Sequence, residues 1–260
     1  MHRNDIVKSK IADPELVEWR RAQIINAAVD LFGRQGYHAT KMRDIADKAG
    51  VSIGLIYQYV QDKEDVLFLT ILEVLNSYLR EVPAAVSDET EPLMRFRRAI
   101  HAYCMVNHVN ADATVLAYRE TKSLAPERRD LIKEKELETN KMIEVFVRDC
   151  EDAGLFEPVD TELFVYQIVM FSHTWALKAW RFRKLMTVNE YVERGLGLML
   201  NATLTPHGMD AYRALARNPL PAEEELALAH GGAFAGAPTP QAKSRGGRRR
   251  TKDAPLEQLG

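Results

Sequence analysis

Apolar residues recur along most of this chain at helical spacing. In "WRRAQIINAAVDLFGRQG", Ile24, Ala28, Leu31 and Phe32 fall on one stripe, and Gly36 follows the last apolar turn as a C-cap does. "TKMRDIADKAG" reads as a short second helix with Thr40 as its N-cap, Ile45 and Ala49 at i and i+4, and Gly50 at its end. Ser52 can cap a third helix running through Tyr59. "DKEDVLFLTILEVLNSYLREV" opens on acidic residues, where the helix dipole favours them. It carries Val66, Leu67, Thr70, Ile71, Val74 and Tyr78 as its buried stripe and ends at Pro83. Five more helices are expected at about 92–109, 112–122, 126–153, 160–181 and 187–204, separated by Pro92, Pro126, "AGLFEP", a charged turn near Lys184 and Pro206. "HGMDAYRALARN", 207–218, forms one last short helix. No stretch alternates apolar with polar residues between turn signals, so the expected fold class is all-α.

The helix at 160–181 differs from its neighbours, because Leu163, Phe164, Val165, Tyr166, Ile168, Val169, Met170 and Phe171 leave it almost no polar face. Such a helix must be covered on both sides: its own core supplies one cover, and a second subunit is expected to supply the other.

At 260 residues, with 46% apolar and 28% charged residues, the composition is that of an ordinary soluble globular protein. "LFVYQIVMFSHTWALKAW" is interrupted by Gln167, Ser172 and His173, short of the roughly 18 uninterrupted apolar residues of a spanning helix. The N-terminus has no apolar signal region, so no membrane association and a cytoplasmic location are expected. Cys104 and Cys150 form no metal-binding or disulfide pattern and read as buried thiols. A net charge of −2 confines any nucleic-acid binding to a local patch. Residues 1–14 read as a flexible arm. After Pro219 the composition turns to Ala, Gly, Pro and charge, and 219–260 reads as a disordered tail, whose "SRGGRRRTK" could contact DNA phosphates or the minor groove non-specifically but needs no function as a solvated end.

"GVSIGLIYQYVQDKEDVL" carries the chemistry. Ile53, Ile56 and Val60 share a helical face, yet Tyr57, Gln58 and Tyr59 crowd polar tips between them, and Gly54 weakens so short a helix by roughly 1 kcal/mol relative to Ala. Three helices with the second and third joined by the tight turn "AGVS" form a helix-turn-helix pattern, whose third helix enters the DNA major groove. Ser52, Gly54, Tyr57, Gln58 and Tyr59 would then face the groove. Gln58 can pair with adenine N6 and N7, Gly54 permits close backbone approach, and the tyrosines can donate to phosphates. Thr40, Lys41 and Arg43 can clamp phosphates from the second helix, and Lys63 from the start of the fourth.

These residues resemble the N-terminal domain of the TetR family of bacterial transcriptional regulators. The likeness runs through "AAVDLFGRQGYHATKMRDIADKAGVSIGLIYQYVQDKEDVL", including Gly36-Tyr37, Thr40, "DIA", "AGVS", Gly54, Tyr57, Tyr59 and Lys63-Glu64. It departs at Val60, where the family usually has phenylalanine. The resemblance implies a DNA-binding domain at 15–64, with the helix at 63–82 as connector, and a helical ligand-binding and dimerisation domain at 65–206. It also implies a homodimer through 160–181 and 187–204 on a palindromic operator, released by a small-molecule effector. Tyr103, His108, Tyr118, Arg119, His173, Trp175, Lys178 and Trp180 are the candidate pocket residues. "HTWALKAWRFRK" and "YRETKSLAPERR" resemble the ligand domains of members that respond to acyl-CoA thioesters, with Lys178 and Arg119 as a cationic rim. Tryptophans such as Trp175 and Trp180 are more often core or dimer-interface residues than ligand contacts, and cations at a helix end usually complement its dipole. His101 and His108 lie two turns apart with no third ligand in view, so no metal is expected, and no cofactor. An all-helical enzyme acting on an acyl-CoA-like substrate, with His173 or Glu120 as base, is the alternative. It leaves the helix-turn-helix block without a role, and no nucleophile, base and orienting acid stand at recognisable spacing.

Overall fold

The chain is seen in a computed structural model that describes residues 7–215. Residues 1–6 of the expected arm, the end of the last expected helix and the whole basic tail lie outside the described residues. Among the described residues there are helices and one isolated bridge, between Phe156 and Leu204, and no helix long and apolar enough to cross a membrane.

Helix α1 is Pro14–Gln35, longer at its start than the apolar stripe indicates. Asp13 explains the difference: its carboxylate accepts from the Glu15 and Leu16 amides, and Pro14 occupies the first turn, where its missing N–H costs nothing. The helix stops at Gly36, whose φ of +86° a side chain would disfavour. Helix α2 is Met42–Lys48, and its cap differs from the expected one. Thr40 is buried and gives its hydroxyl to the Gly36 carbonyl at 2.8 Å, while Asp44 accepts from the Lys41 amide at 2.8 Å. A turn through Gly50, φ +67°, leads to α3, Ile53–Ile56, capped by Ser52. Regular helix ends there instead of at Tyr59. The Gln58 and Tyr59 amides turn to i−3 carbonyls, a tighter winding that carries the chain to Val60.

Helix α4, Lys63–Ala85, is capped by Asp62 and passes through Pro83 into one more half-turn. Helices α5 (Pro92–Val109), α6 (Ala111–Glu120, followed by a 3-10 turn at Thr121–Ser123) and α7 (Pro126–Asp152) fall close to the expected bounds. The long apolar helix is divided: α8 is Thr161–Leu177, and Lys178 separates it from the one-turn α9, Ala179–Phe182. Helix α10, Val188–Thr203, starts on a capping box between Thr187 and Glu190, and α11 is Pro206–Leu215.

Helix α5 is the centre of the larger half, contacting α4, α7, α8, α10 and α11. Helices α1 to α3 form the smaller half, and α1 packs on α4 and α6. Helix α8 turns Val165, Ile168, Val169, Ser172, Trp175 and Ala176 inward and leaves Leu163, Tyr166 and Met170 exposed. Leu198 of α10 is 77% exposed, so the apolar outer surface extends over both helices. The two lie close because Gly195 has no side chain: a Cβ there would come within 2.1 Å of the Phe171 ring.

Residues 7–13 are not a free arm. Val7 is buried, the Lys10 amide donates to the Gln58 carbonyl at 2.8 Å, and Ser9 Oγ donates to the same carbonyl at 3.1 Å. Arg21, buried on the inner stripe of α1, donates to the Val7 and Tyr59 carbonyls and so pins the strap to the end of the α3 segment.

Candidate DNA interface and effector cavity

The α2–α3 unit sorts the expected DNA contacts into two sets. Lys41, Arg43, Ser52, Gly54 and Tyr57 are exposed, and Gln58 is half-buried beside them. Lys41 and Arg43 have no ion-pair or hydrogen-bond partner for their side chains among the described residues. Thr40, Tyr59 and Lys63 do not join that set. Tyr59 is 3% exposed and packs into the core beside Val60, because the tightening after Ile56 rotates it inward. Val60 is itself buried, so the inward tyrosine supplies aromatic bulk next to the position where the family carries phenylalanine. Lys63 donates to the carbonyls of Tyr37 and Thr40, each at 2.8 Å, and of His38 at 3.1 Å, with its ammonium over the Tyr37 ring. Three donors serve three carbonyls, so this lysine caps the turn before α2 instead of waiting for a phosphate.

The larger half holds a cavity of about 200 Å³ walled by α4 to α8. Ile71, Val74, Leu75 and Ile132 make it apolar, and Tyr78, Tyr103, Tyr118 and His173 form its aromatic wall. Tyr78 and Tyr103 stack at 4.0 Å with their rings 5° from parallel. A hydrogen-bond chain crosses the wall. Tyr118 Oη lies 2.8 Å from His173 Nδ1, His173 Nε2 lies 3.3 Å from Tyr78 Oη, and Tyr78 donates to Asn107 Oδ1 at 2.8 Å. Tyr78 has one proton and gives it to Asn107. His173 must then carry its proton on Nε2 and accept from Tyr118 on Nδ1. Burial pulls His173 down to about 4, which keeps it neutral as this chain requires. Asn107 continues to Ser172 at 2.6 Å and accepts from Thr114 at 3.0 Å, so the buried amide is well served.

Of the expected pocket residues, Tyr103, Tyr118 and His173 line this cavity. His108 and Trp175 do not. Trp175 Nε1 donates to His108 Nδ1 at 2.9 Å, and the indole packs among Phe182 and Tyr191, as core. Arg119, Lys178 and Trp180 are exposed and outside the lining, Trp180 at 70%, so the expected cationic rim is not assembled from them. Lys133 and Glu136 of α7 line the cavity instead. Burial raises the Glu136 carboxyl above its ordinary value. The sequence held a signal for Glu136, which shares a face of α7 with the buried Ile132 and Thr139, where a carboxylate is out of place, but none for Lys133, which is exposed and paired with Asp130 at 2.8 Å. Glu120, the other base considered for an enzyme, is turned to Ser123 at 3.0 Å and His38 at 3.5 Å.

The two halves are tied where α4 begins. Arg128 of α7 bonds Asp65 and lies 3.3 Å from Glu64, and Glu64 accepts from the Ala125 amide at 2.9 Å. Asp65 is buried and also accepts from the Gln61 amide at 2.6 Å.

A helix-turn-helix unit with an exposed reading face, joined through one helix to a helical body with an internal cavity, defines a ligand-responsive DNA-binding transcriptional regulator. Residues 24–69 match the family model of the N-terminal domain of bacterial regulatory proteins of the tetR family, and residues 89–177 match the tetracyclin repressor-like C-terminal domain. The chain is 50% identical over 212 residues to the HTH-type transcriptional regulator HbdR of Aromatoleum sp. (strain CIB), covering 82% of this chain and 93% of that one. It is 25% identical over 194 residues to the HTH-type transcriptional repressor KstR2 of Rhodococcus jostii (strain RHA1), covering 72% and 93%. Among solved structures, a tetR-family regulatory protein from Rhodococcus RHA1 superposes with a TM-score of 0.63 at 25% identity, over 70% of this chain and 95% of the other. The chain belongs to the TetR family of bacterial regulatory proteins, whose members bind operator DNA and small-molecule effectors and form dimers.

Proposed function

We propose that the protein is a cytoplasmic homodimeric repressor, released from a palindromic operator when a compact effector fills the cavity between α4 and α8. Residues 15–64 act as the DNA-binding domain and 65–206 as the effector and dimer domain. Lys41, Arg43, Ser52 and Tyr57 position the unit on the backbone, Gly54 allows close approach, and Gln58 reads a base edge.

The observation that carries the effector reading is the neutral His173 chain. It bonds α6 to α8 and α4 on the wall of a mostly apolar cavity, so an occupant that takes the Tyr118 or His173 bond changes how those helices are tied. Helix α6 also meets the DNA-binding half directly, through His38–Glu120, and α7 holds the first turn of the connecting helix α4 through Arg128 on Glu64 and Asp65. An occupant preferring one arrangement of α6 and α7 would shift the helix-turn-helix with it, by as much as its preference for that state.

The effector class we favour is an acyl-CoA-like compound. A cavity of about 200 Å³ has room for a short acyl group and none for the nucleotide, which would stay outside with Lys133 as the lining cation. The test is a titration of short acyl-CoA thioesters, and of the matching free acids, against the protein on its own upstream DNA. Release by thioesters alone supports the reading, with His173→Gln holding DNA but losing the response. Release by free acids alone overturns the thioester, and a response unchanged in His173→Gln overturns the cavity.

A further inference from the structure

We infer that the strap at residues 7–13 is a second DNA-contacting element, which places Lys8 and Lys10 on the phosphate backbone beside the groove that Gln58 enters. The inference rests on the reading of Gln58 as a groove residue. In the smaller half most cations are engaged. Arg34 and Lys48 both pair with Asp30, Arg20 bonds Gln23, Arg21 is buried on two carbonyls, and Lys63 caps three. Among the described residues, the cations of this half left without a partner are Lys8, Lys10, Lys41 and Arg43. All four are exposed, two on the strap bonded to Gln58 and two at the start of α2.

What separates Lys8 and Lys10 from an ordinary solvated end is how they are held. Lys10 bonds through its backbone to the carbonyl of Gln58 itself, Ser9 doubles that bond, and the Ile11 amide closes on Ser9 Oγ at 3.1 Å. Val7 is buried on one side of Lys8, and Ile11 packs against the core on the far side of Lys10. The two alternate lysines are thereby turned outward from a fixed backbone next to Gln58. Cations already ordered lose less freedom on meeting a phosphate than cations on a loose chain. The strap's length also suits the role, since it leaves the start of α1 at the N-cap Asp13 and reaches the carbonyl of Gln58 within three residues.

Each phosphate neutralised on duplex DNA steepens the dependence of log K on log salt by about 0.9. Two lysines on each of two protomers predict that Lys8→Ala with Lys10→Ala makes the slope for the full-length dimer shallower by roughly 3 to 4. The loss of affinity should be equal for operator and for unrelated duplexes. Both positions are exposed, so the melting temperature should stay within a degree or two of the parent, which checks that folding is intact. Gln58→Ala is the companion variant, expected to narrow the ratio between operator and unrelated DNA while leaving the slope alone. An unchanged slope in the double lysine variant overturns the inference. So does a uniform loss of affinity with the slope preserved, because that would make the strap a brace for α3 and nothing more. If Gln58→Ala leaves the operator ratio untouched while the lysine variant flattens the slope, the reading of Gln58 fails and the backbone contact stands.

Discussion

Lys63 shows how a residue type can mislead about its task. A lysine at a helix N-terminus in a DNA-binding half is an obvious phosphate ligand, yet its three donors are used by the carbonyls of Tyr37, His38 and Thr40. Lys63→Met would leave those carbonyls to find other partners and should destabilise the protein by about 2 kcal/mol, the range for hydrogen bonds to a charged group. Urea unfolding reads it, and an unchanged midpoint would return Lys63 to the free cations. His173 makes a prediction in pH. Tyr78 of α4, Tyr103 of α5, Tyr118 of α6 and Glu136 of α7 line the same cavity, and burial holds its imidazole at about 4 against an ordinary 6.5. Between those values the unfolded chain binds the proton and the folded one does not. Stability is therefore fully present above about 6.5 and falls as pH drops toward 4. His173→Gln should show a flatter decline between pH 7 and 5 than the parent, and parallel declines would mean that His173 is not the group responsible.

At the scale of the element, the first turn of α4 is the joint of the molecule. Its Lys63 holds the turn before α2, and its Glu64 and Asp65 hold Arg128 and Ala125 at the start of α7. Arg128→Ala would strand a buried carboxylate at Asp65, at a cost of about 3 kcal/mol. Adding Asp65→Asn should recover part of that loss, because the stranded charge is then gone, and a strictly additive double variant would show that the two side chains do not act as a pair. The same chemistry explains why this joint escaped the pattern of apolar positions. A stripe locates the inner face of a helix, whereas an ion pair 63 residues apart in sequence leaves no period to detect.

At the scale of the whole molecule, Leu163, Tyr166 and Met170 on α8 and Leu198 on α10 form an exposed apolar surface, held close together by Gly195 against Phe171. A surface of this kind on two adjacent helices is what a second copy would cover. Leu198→Glu is expected to give a folded monomer in sedimentation that no longer binds a palindrome, since one reading segment alone cannot span two half-sites. A variant that still sediments as a dimer would move the interface elsewhere.

The sequence by itself determined the helices and the identity of the DNA-reading unit, because both are local. Caps such as Asp13, Ser52 and Thr187 act within one turn, and the spacing of apolar residues repeats every few positions. That Tyr57 and Gln58 are not buried with Ile56 and Val60 was legible for the same reason. Only the tertiary structure decided which polar residues remain free. Tyr59 and Thr40 turned inward, Lys63 was consumed by carbonyls, Arg119 and Lys178 fell outside the cavity, and Lys133 and Glu136 came into it. It also fixed residues 7–13 against Gln58 through the buried Arg21. A side chain's chemistry is written in its type, but its availability depends on the neighbours that folding brings from far along the chain.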